Sequence, residues 1–231
     1  MQVKNSVALV TGANRGLGRH FAQALLERGA AKVYATARRP EQIDLPGVET
    51  LPLDITDEQA VARVADLAQD VTLLVNNAGA STGTDLVTGD KALIRQELDT
   101  FFWGTLEMTR AFAPILAANA GGAILNINSV MSWSAYRGAN AYHVAKAAEW
   151  ALTNGSRLEL ADQGTQVTGL FLAMTDTGHQ EWWTGPLNRP EDVVRAALDG
   201  LEAGRLEIVV DEMSAGAKAL LAQDPGVFTG Q

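Results

Sequence analysis

The chain has 231 residues, 47% of them hydrophobic and 19% charged, and a formal net charge of −9. That length and apolar content allow one domain with a large core, while the acidity argues against a general affinity for nucleic acid or an anionic membrane. There is no cysteine, so disulfides and thiolate metal sites are excluded, as suits a cytoplasmic protein; no apolar run reaches the roughly 18 residues of a bilayer span, and no signal-peptide apolar region opens the chain.

From the N-terminus, Val7–Val10 reads as a buried strand that runs into Gly12, Gly16 and Gly18 and then into an amphipathic helix, Leu17 to Arg28, stopped by Gly29. Glycines at such a turn let backbone N–H groups approach a pyrophosphate, and the helix N-terminus adds a favourable dipole. The spacing is G-x-x-x-G-x-G, not G-x-G-x-x-G. A second strand, Lys32–Ala37, runs directly into Arg38 and Arg39. A site for NAD places a carboxylate near the end of this strand, and one for NADP an arginine. Ala37 followed by Arg38, with Arg15 inside the glycine loop, reads as NADP(H).

Glu49–Leu53 is the third strand, and Asp57 is placed to cap a helix over Asp57–Gln69. The fourth strand, Val71–Val75, leads into Asn76-Asn77-Ala78-Gly79, a second loop that would end beside the first. A helix Ala92–Ala118, a strand Ala123–Asn128, a helix Ala141–Leu160, a strand Gln166–Leu172, a helix Pro190–Ala203 stopped by Gly204, and a strand Leu206–Val210 complete the chain. This alternation predicts an α/β fold, a doubly wound seven-stranded parallel sheet flanked by helices on both faces.

Two residues of the Ala141–Leu160 helix, Tyr142 and Lys146, stand one turn apart on one face, and Ser129 lies thirteen residues before the tyrosine. A cation beside a phenol favours phenolate over its reference pKa of about 10, which would make Tyr142 a proton donor and acceptor near neutral pH.

Together these pieces resemble the short-chain dehydrogenase/reductase family. Thr11 to Gly18 matches its cofactor loop, Asn76 to Gly79 its fourth-strand motif, and Ser129, Tyr142 and Lys146 its catalytic serine, tyrosine and lysine, over a stretch running from about Val7 to Val210. The resemblance implies one Rossmann-fold domain over 1–231, with a substrate lid at approximately 174–190. It implies NADP(H) held by Gly12, Asn14, Arg15, Gly16, Leu17 and Gly18 of the first loop, Arg38, Asp54 and Ile55 beyond the second and third strands, and Asn77, Ala78 and Gly79 of the second loop. Tyr142, Lys146, Thr175 and Thr177 would complete that set. It further implies a carbonyl held by Ser129 and Tyr142, hydride from the nicotinamide, a proton from Tyr142, and Lys146 on the nicotinamide ribose. No metal is implied. The partners implied are a small carbonyl or alcohol substrate and further copies of the chain. These would form a homotetramer or homodimer through the Ala92–Ala118 and Ala141–Leu160 helices, where Ala111, Ala147 and Ala151 suit close packing.

Departures from the family pattern gather around the expected pocket, as in a divergent or re-engineered member. Phe101 stands three residues before Gly104, where the family has an asparagine that anchors a water near the lysine, and Leu172-Ala173 replaces Pro-Gly after the sixth strand. A phenyl ring cannot hydrogen-bond that water, so either another group, such as Asn128, serves proton delivery or turnover is slow. The substrate pocket is expected to draw on Phe101, Asn128, Met131, His143, Met174, Trp182 and Trp183; the two tryptophans would cover a bulky substrate or pack the lid down. His143 reads better as a packed or interface residue than as a catalyst, and His179 as a pocket residue of the lid. The function expected is NADPH-dependent interconversion of a hydrophobic ketone or aldehyde with its alcohol. The alternatives are a cofactor-binding relative with little turnover and a non-redox reaction in the same pocket.

Overall fold

The computed structural model describes residues 1–178 and 183–224. Its strands are β1 (Val7–Val10), β2 (Lys32–Ala37), β3 (Glu49–Pro52), β4 (Leu73–Asn76), β5 (Ala123–Ile127), β6 (Gln166–Phe171) and β7 (Glu207–Val209). They form one parallel sheet in the order β3-β2-β1-β4-β5-β6-β7. The order reverses between β1 and β4, where Val10 pairs with Val75. A crevice opens beyond the carboxyl ends of the strands at such a point.

Parallel strands are buried on both faces, so their alternate side chains feed two cores. Ala8 and Val10 of β1, Leu73 and Val75 of β4, and Leu125 of β5 pack against Phe21 and Leu25 of helix α1 (Gly16–Glu27) and Val194 and Leu198 of α6 (Pro190–Glu202). Leu9, Leu74 and Ile124 face the other way. They meet Val61 and Val64 of α2 (Glu58–Leu67) and Met108, Phe112 and Leu116 of α4 (Thr105–Ala118). Each fully buried Phe or Leu contributes about 1.5–3 kcal/mol of transfer free energy. Asp57 caps α2 as expected, its carboxylate accepting from the backbone N–H groups of Gln59 and Ala60. Gly29 and Gly204 follow α1 and α6 with φ of +80° and +73°, the left-handed stop that only glycine adopts without strain.

One expected helix is broken. The run predicted as Ala92–Ala118 is α3 (Lys91–Leu98), then a π-helical segment Asp99–Gly104, then α4. Gly104 lies so close to Ile55 that a Cβ there would be 2.8 Å from its side chain. The widened turn buries Phe101 and leaves Trp103 half-exposed, and wide turns of this kind commonly mark functional sites. Helix α5 (Asn140–Glu159) lies beside this segment, and a last helix, α7 (Glu212–Leu220), was not anticipated; Asp211 caps it by accepting from Ser214 N.

Candidate active site

A cleft of about 2020 Å³ runs along the carboxyl ends of the strands, lined at one end by the β1–α1 loop and at the other by α5, the segment after β6 and Met213 of α7. The two loops at its floor are knitted together by Thr11. Its Oγ1 accepts from Asn77 N at 2.9 Å and from Ala78 N at 3.0 Å, and Asn77 Nδ2 donates to Thr11 O at 2.9 Å. Gly12 has φ +67°, and a Cβ there would be 2.9 Å from Ala78 Cα; one on Gly18 would be 2.2 Å from Gly12 O. Two backbones therefore pass at a separation only glycine permits, and the cradle left open suits a pyrophosphate. Arg15, at the N-cap of α1, makes no side-chain cap hydrogen bond to the helix's first N–H groups, which an anion could then engage.

Arg15, Gly16 and Leu17 line the cleft with Asn14, whose amide is hydrogen-bonded to that of Gln42 at 3.1 Å, whereas Gly18 lies beneath, packed on Gly12. Farther along, Arg38 and Arg39 project from the end of β2 beside buried Ala37, with Asp54 and Ile55 opposite. Arg38 and Asp54 also border a smaller recess of about 270 Å³ that includes Arg63. The residues present thus fit a dinucleotide with a further phosphate at its ribose. Asn77, Ala78, Gly79, Thr175 and Thr177 line the same cleft; Thr177 lies against Gly16, where an added Cβ would be 3.3 Å from its methyl group.

Ser129, Tyr142 and Lys146 converge at the cleft's other end. Ser129 follows β5 and caps the short 3₁₀ turn Val130–Ser132: its Oγ accepts from Met131 N at 3.1 Å, and Ser132 Oγ accepts from Ser129 N at 3.4 Å. Tyr142 lines the cleft with Ser129, and its ring meets Phe101 edge-on at 5.1 Å between centroids. Lys146, 4% exposed, donates from Nζ to Ile127 O at 2.7 Å and to Glu149 Oε2 at 2.5 Å, and lies 4.2 Å from the centroid of the Phe101 ring.

The electrostatics correct one expectation. Burial pushes the Tyr142 phenol above its ordinary value; the Lys146 ammonium and the Ser129 hydroxyl pull it down, the Glu149 and Glu97 carboxylates push it up, and the net direction is up. The sequence reading weighed the ammonium without the carboxylate that partners it.

The other pocket candidates are placed as follows. Phe101, Asn128, Met131, Met174 and Trp183 line the cleft. Asn128 is buried behind its wall, its Nδ2 near Asn126 O at 3.4 Å and Thr153 Oγ1 at 3.5 Å. Trp183 donates from its indole to Pro186 O at 3.0 Å. His143 does not join the cleft lining: its Nδ1 is 2.6 Å from Met131 O, so the ring braces the turn that carries Ser129. Trp182 and His179 lie outside the described residues. Both ends of the 174–190 segment are held by Asp211, whose Oδ2 accepts from Ala173 N at 2.8 Å and Asn188 Nδ2 at 2.9 Å.

Three residues went unnoticed in the sequence. Glu97 of α3 accepts from Thr82 N at 2.6 Å and Thr82 Oγ1 at 2.7 Å, pinning the loop after Gly79. Glu149 and Thr105 meet behind Lys146. Only Glu149 carried a readable signal, its i+3 spacing from Lys146.

Phe101 packs against Gly79 so closely that a Cβ there would be 2.1 Å from its ring. Phe101→Asn is accordingly expected to cost about 2–4 kcal/mol of stability and to change kcat and its solvent isotope effect more than cofactor affinity. Thermal unfolding, with kcat in H₂O and D₂O, checks this; all three unchanged would remove Phe101 from the proton path.

The short chain dehydrogenase family model matches residues 6–185. The chain is 35% identical over 178 residues to an NADPH-dependent 1-acyldihydroxyacetone phosphate reductase of Schizosaccharomyces pombe, a match covering 73% of this chain and 60% of that one. It is 27% identical over 218 residues to an uncharacterized oxidoreductase of Staphylococcus saprophyticus, covering 87% and 93% of the two. Among solved structures, a short chain dehydrogenase of Burkholderia cenocepacia in complex with NADP superposes with a TM-score of 0.94 at 37% identity, covering 100% of this chain and 98% of that one.

Proposed function

The chain belongs to the short-chain dehydrogenase family, and we propose that within it this protein is an NADPH-dependent reductase of hydrophobic ketones and aldehydes, running in reverse as an alcohol dehydrogenase. The observation that carries this reading is the meeting of Ser129, Tyr142 and Lys146 at the end of a cleft whose far end offers Arg38 and Arg39 and no carboxylate at the Ala37 position. Support for the cofactor comes from the B. cenocepacia relative, which binds NADP, and from the S. pombe relative, whose activity is NADPH-dependent.

When bound, NADPH supplies the hydride. The chain's own residues do the rest. Ser129 and Tyr142 hold the substrate oxygen, and Tyr142 gives its phenolic proton to the alkoxide as charge develops there. Lys146 balances the phenolate that remains. Tyr136, Met131, Met174, Met213 and Trp183 face the same end of the cleft, a lining that favours an apolar substrate. Residues 174–190 serve as the lid over it.

We place the protein in the cytoplasm. Among the described residues no helix is long and apolar enough to cross a membrane. The chain pairs with itself through α4 and α5: Leu158, 79% exposed, lies on α5 with Ala147 and Ala151, Ala111 lies on α4, and Trp103, 54% exposed, stands in the π-helical segment just before α4. Light scattering is expected to give a dimer or tetramer at micromolar concentration, and a monomer of 24.5 kDa would contradict it.

Incubation with NADPH and a panel of aryl and alkyl ketones and aldehydes, followed by loss of NADPH absorbance, tests the function. Turnover of at least one above the cofactor-only rate is expected. Tight NADPH binding with none turned over would favour the cofactor-binding relative, the reading that Phe101 in place of a polar residue supports.

A further inference from the structure

An ammonium has three N–H groups to place. At Lys146 one ends on Ile127 O and a second on Glu149 Oε2, and the Phe101 ring covers it at 4.2 Å. Glu149 is itself 2% exposed. Its other oxygen accepts from Thr105 Oγ1 at 3.2 Å, and it does not reach the cleft that Lys146 lines. A carboxylate buried in this way is costly unless paired. Its partners here are the site lysine and one hydroxyl, so it is not an ordinary helix-face residue.

We propose that Glu149 is a positioning residue of this site: it holds Lys146 against the end of β5 and offsets part of its charge, so that Tyr142 stands between turnovers as a phenol ready to donate. The proposal rests on the reading of Tyr142 as the proton donor. A bare ammonium beside the tyrosine favours phenolate, the form that alcohol oxidation needs; an ammonium paired with a carboxylate leaves the phenol, the form that carbonyl reduction needs. The groups acting on Tyr142 come from each element around it. Lys146 and Glu149 lie on α5, Ser129 at the end of β5 and Glu97 on α3, while the π-helical segment contributes the uncharged Phe101 ring. His143, also on α5, is committed to Met131 O. Burial pushes the Glu149 carboxyl up, opposed by Lys146 and by the Thr105 hydroxyl.

Glu149→Gln keeps the shape and an acceptor while removing the charge. In a tyrosinate absorbance titration, with Tyr142→Phe subtracted to isolate this one phenol, the Tyr142 transition is expected to fall by about one pH unit. The high-pH decline in kcat/KM for ketone reduction should fall with it, and NADPH affinity should hold. Glu149→Asp should return the transition most of the way. Should Glu149→Gln fail to fold, Glu149→Leu tests the same point: it removes the charge without leaving a buried amide to satisfy, and the Tyr142 transition should fall by a similar amount. The titration needs no turnover, so a protein that reduces no carbonyl would refute the proposed function while this inference is still decided. A Tyr142 transition unmoved in Glu149→Gln, or in Glu149→Leu where that is the folded variant, overturns the proposal. So does a loss of kcat with an unchanged pH profile.

Discussion

Tyr142→Phe is expected to lower kcat for carbonyl reduction by about 10²–10⁴-fold, the usual worth of a positioned general acid, while the NADPH dissociation constant changes by no more than about twofold, because the contribution is made in the transition state. The ring should keep its place. Its edge-on contact with Phe101 and its packing against the cluster that holds Val130, Met131 and Trp133 do not involve the hydroxyl. The lost group is the phenolic hydroxyl with its proton. Steady-state kinetics and cofactor titration on one preparation separate the two effects. Retention of most of kcat would move the donor elsewhere.

Arg38→Ala is expected to weaken NADPH binding by about 10–100-fold and to leave NADH nearly untouched, since a hydrogen bond to a charged group is worth about 1.5–3 kcal/mol. The guanidinium stands at the open end of the cleft next to Ala37, a small buried residue that offers nothing to ribose hydroxyls. Arg15 and Arg39 line the same cleft, so some preference for NADPH should survive, and both dissociation constants should be measured at low salt because the interaction is screened. Equal loss for the two cofactors would mean that Arg38 supports the loop and does not read a phosphate.

The sheet was legible because parallel strands leave a strong trace: runs such as Val71–Val75 and Ala123–Asn128 are mostly apolar and are separated by helical stretches with clear stops at Gly29 and Gly204. The loops at the cleft were legible for a similar local reason, since Gly12 and Gly18 are where two backbones touch. The break in the Ala92–Ala118 helix was not, because a π turn adds one residue to a helix that still reads as continuous, and its cause, the approach of Gly104 to Ile55, joins residues far apart in the chain. The state of Tyr142 was hidden in the same way. Lys146 is one turn away and easy to see, whereas the burial of the phenol, the largest influence on it, and the opposing carboxylates of Glu149 and Glu97 come only from packing. His143 was counted with the pocket although its helical position argued for packing, and Met131 O, twelve residues back, claims its ring.

The most direct measurement is transfer of label. With NADPH carrying deuterium at its transferable position and a hydrophobic aryl ketone as substrate, the alcohol formed should carry one deuterium on its carbinol carbon for each NADPH consumed, and Tyr142→Phe should abolish nearly all of it. Consumption of NADPH with no deuterium in the alcohol, or an alcohol yield unchanged in Tyr142→Phe, would contradict the assignment of this cleft as a carbonyl reductase site.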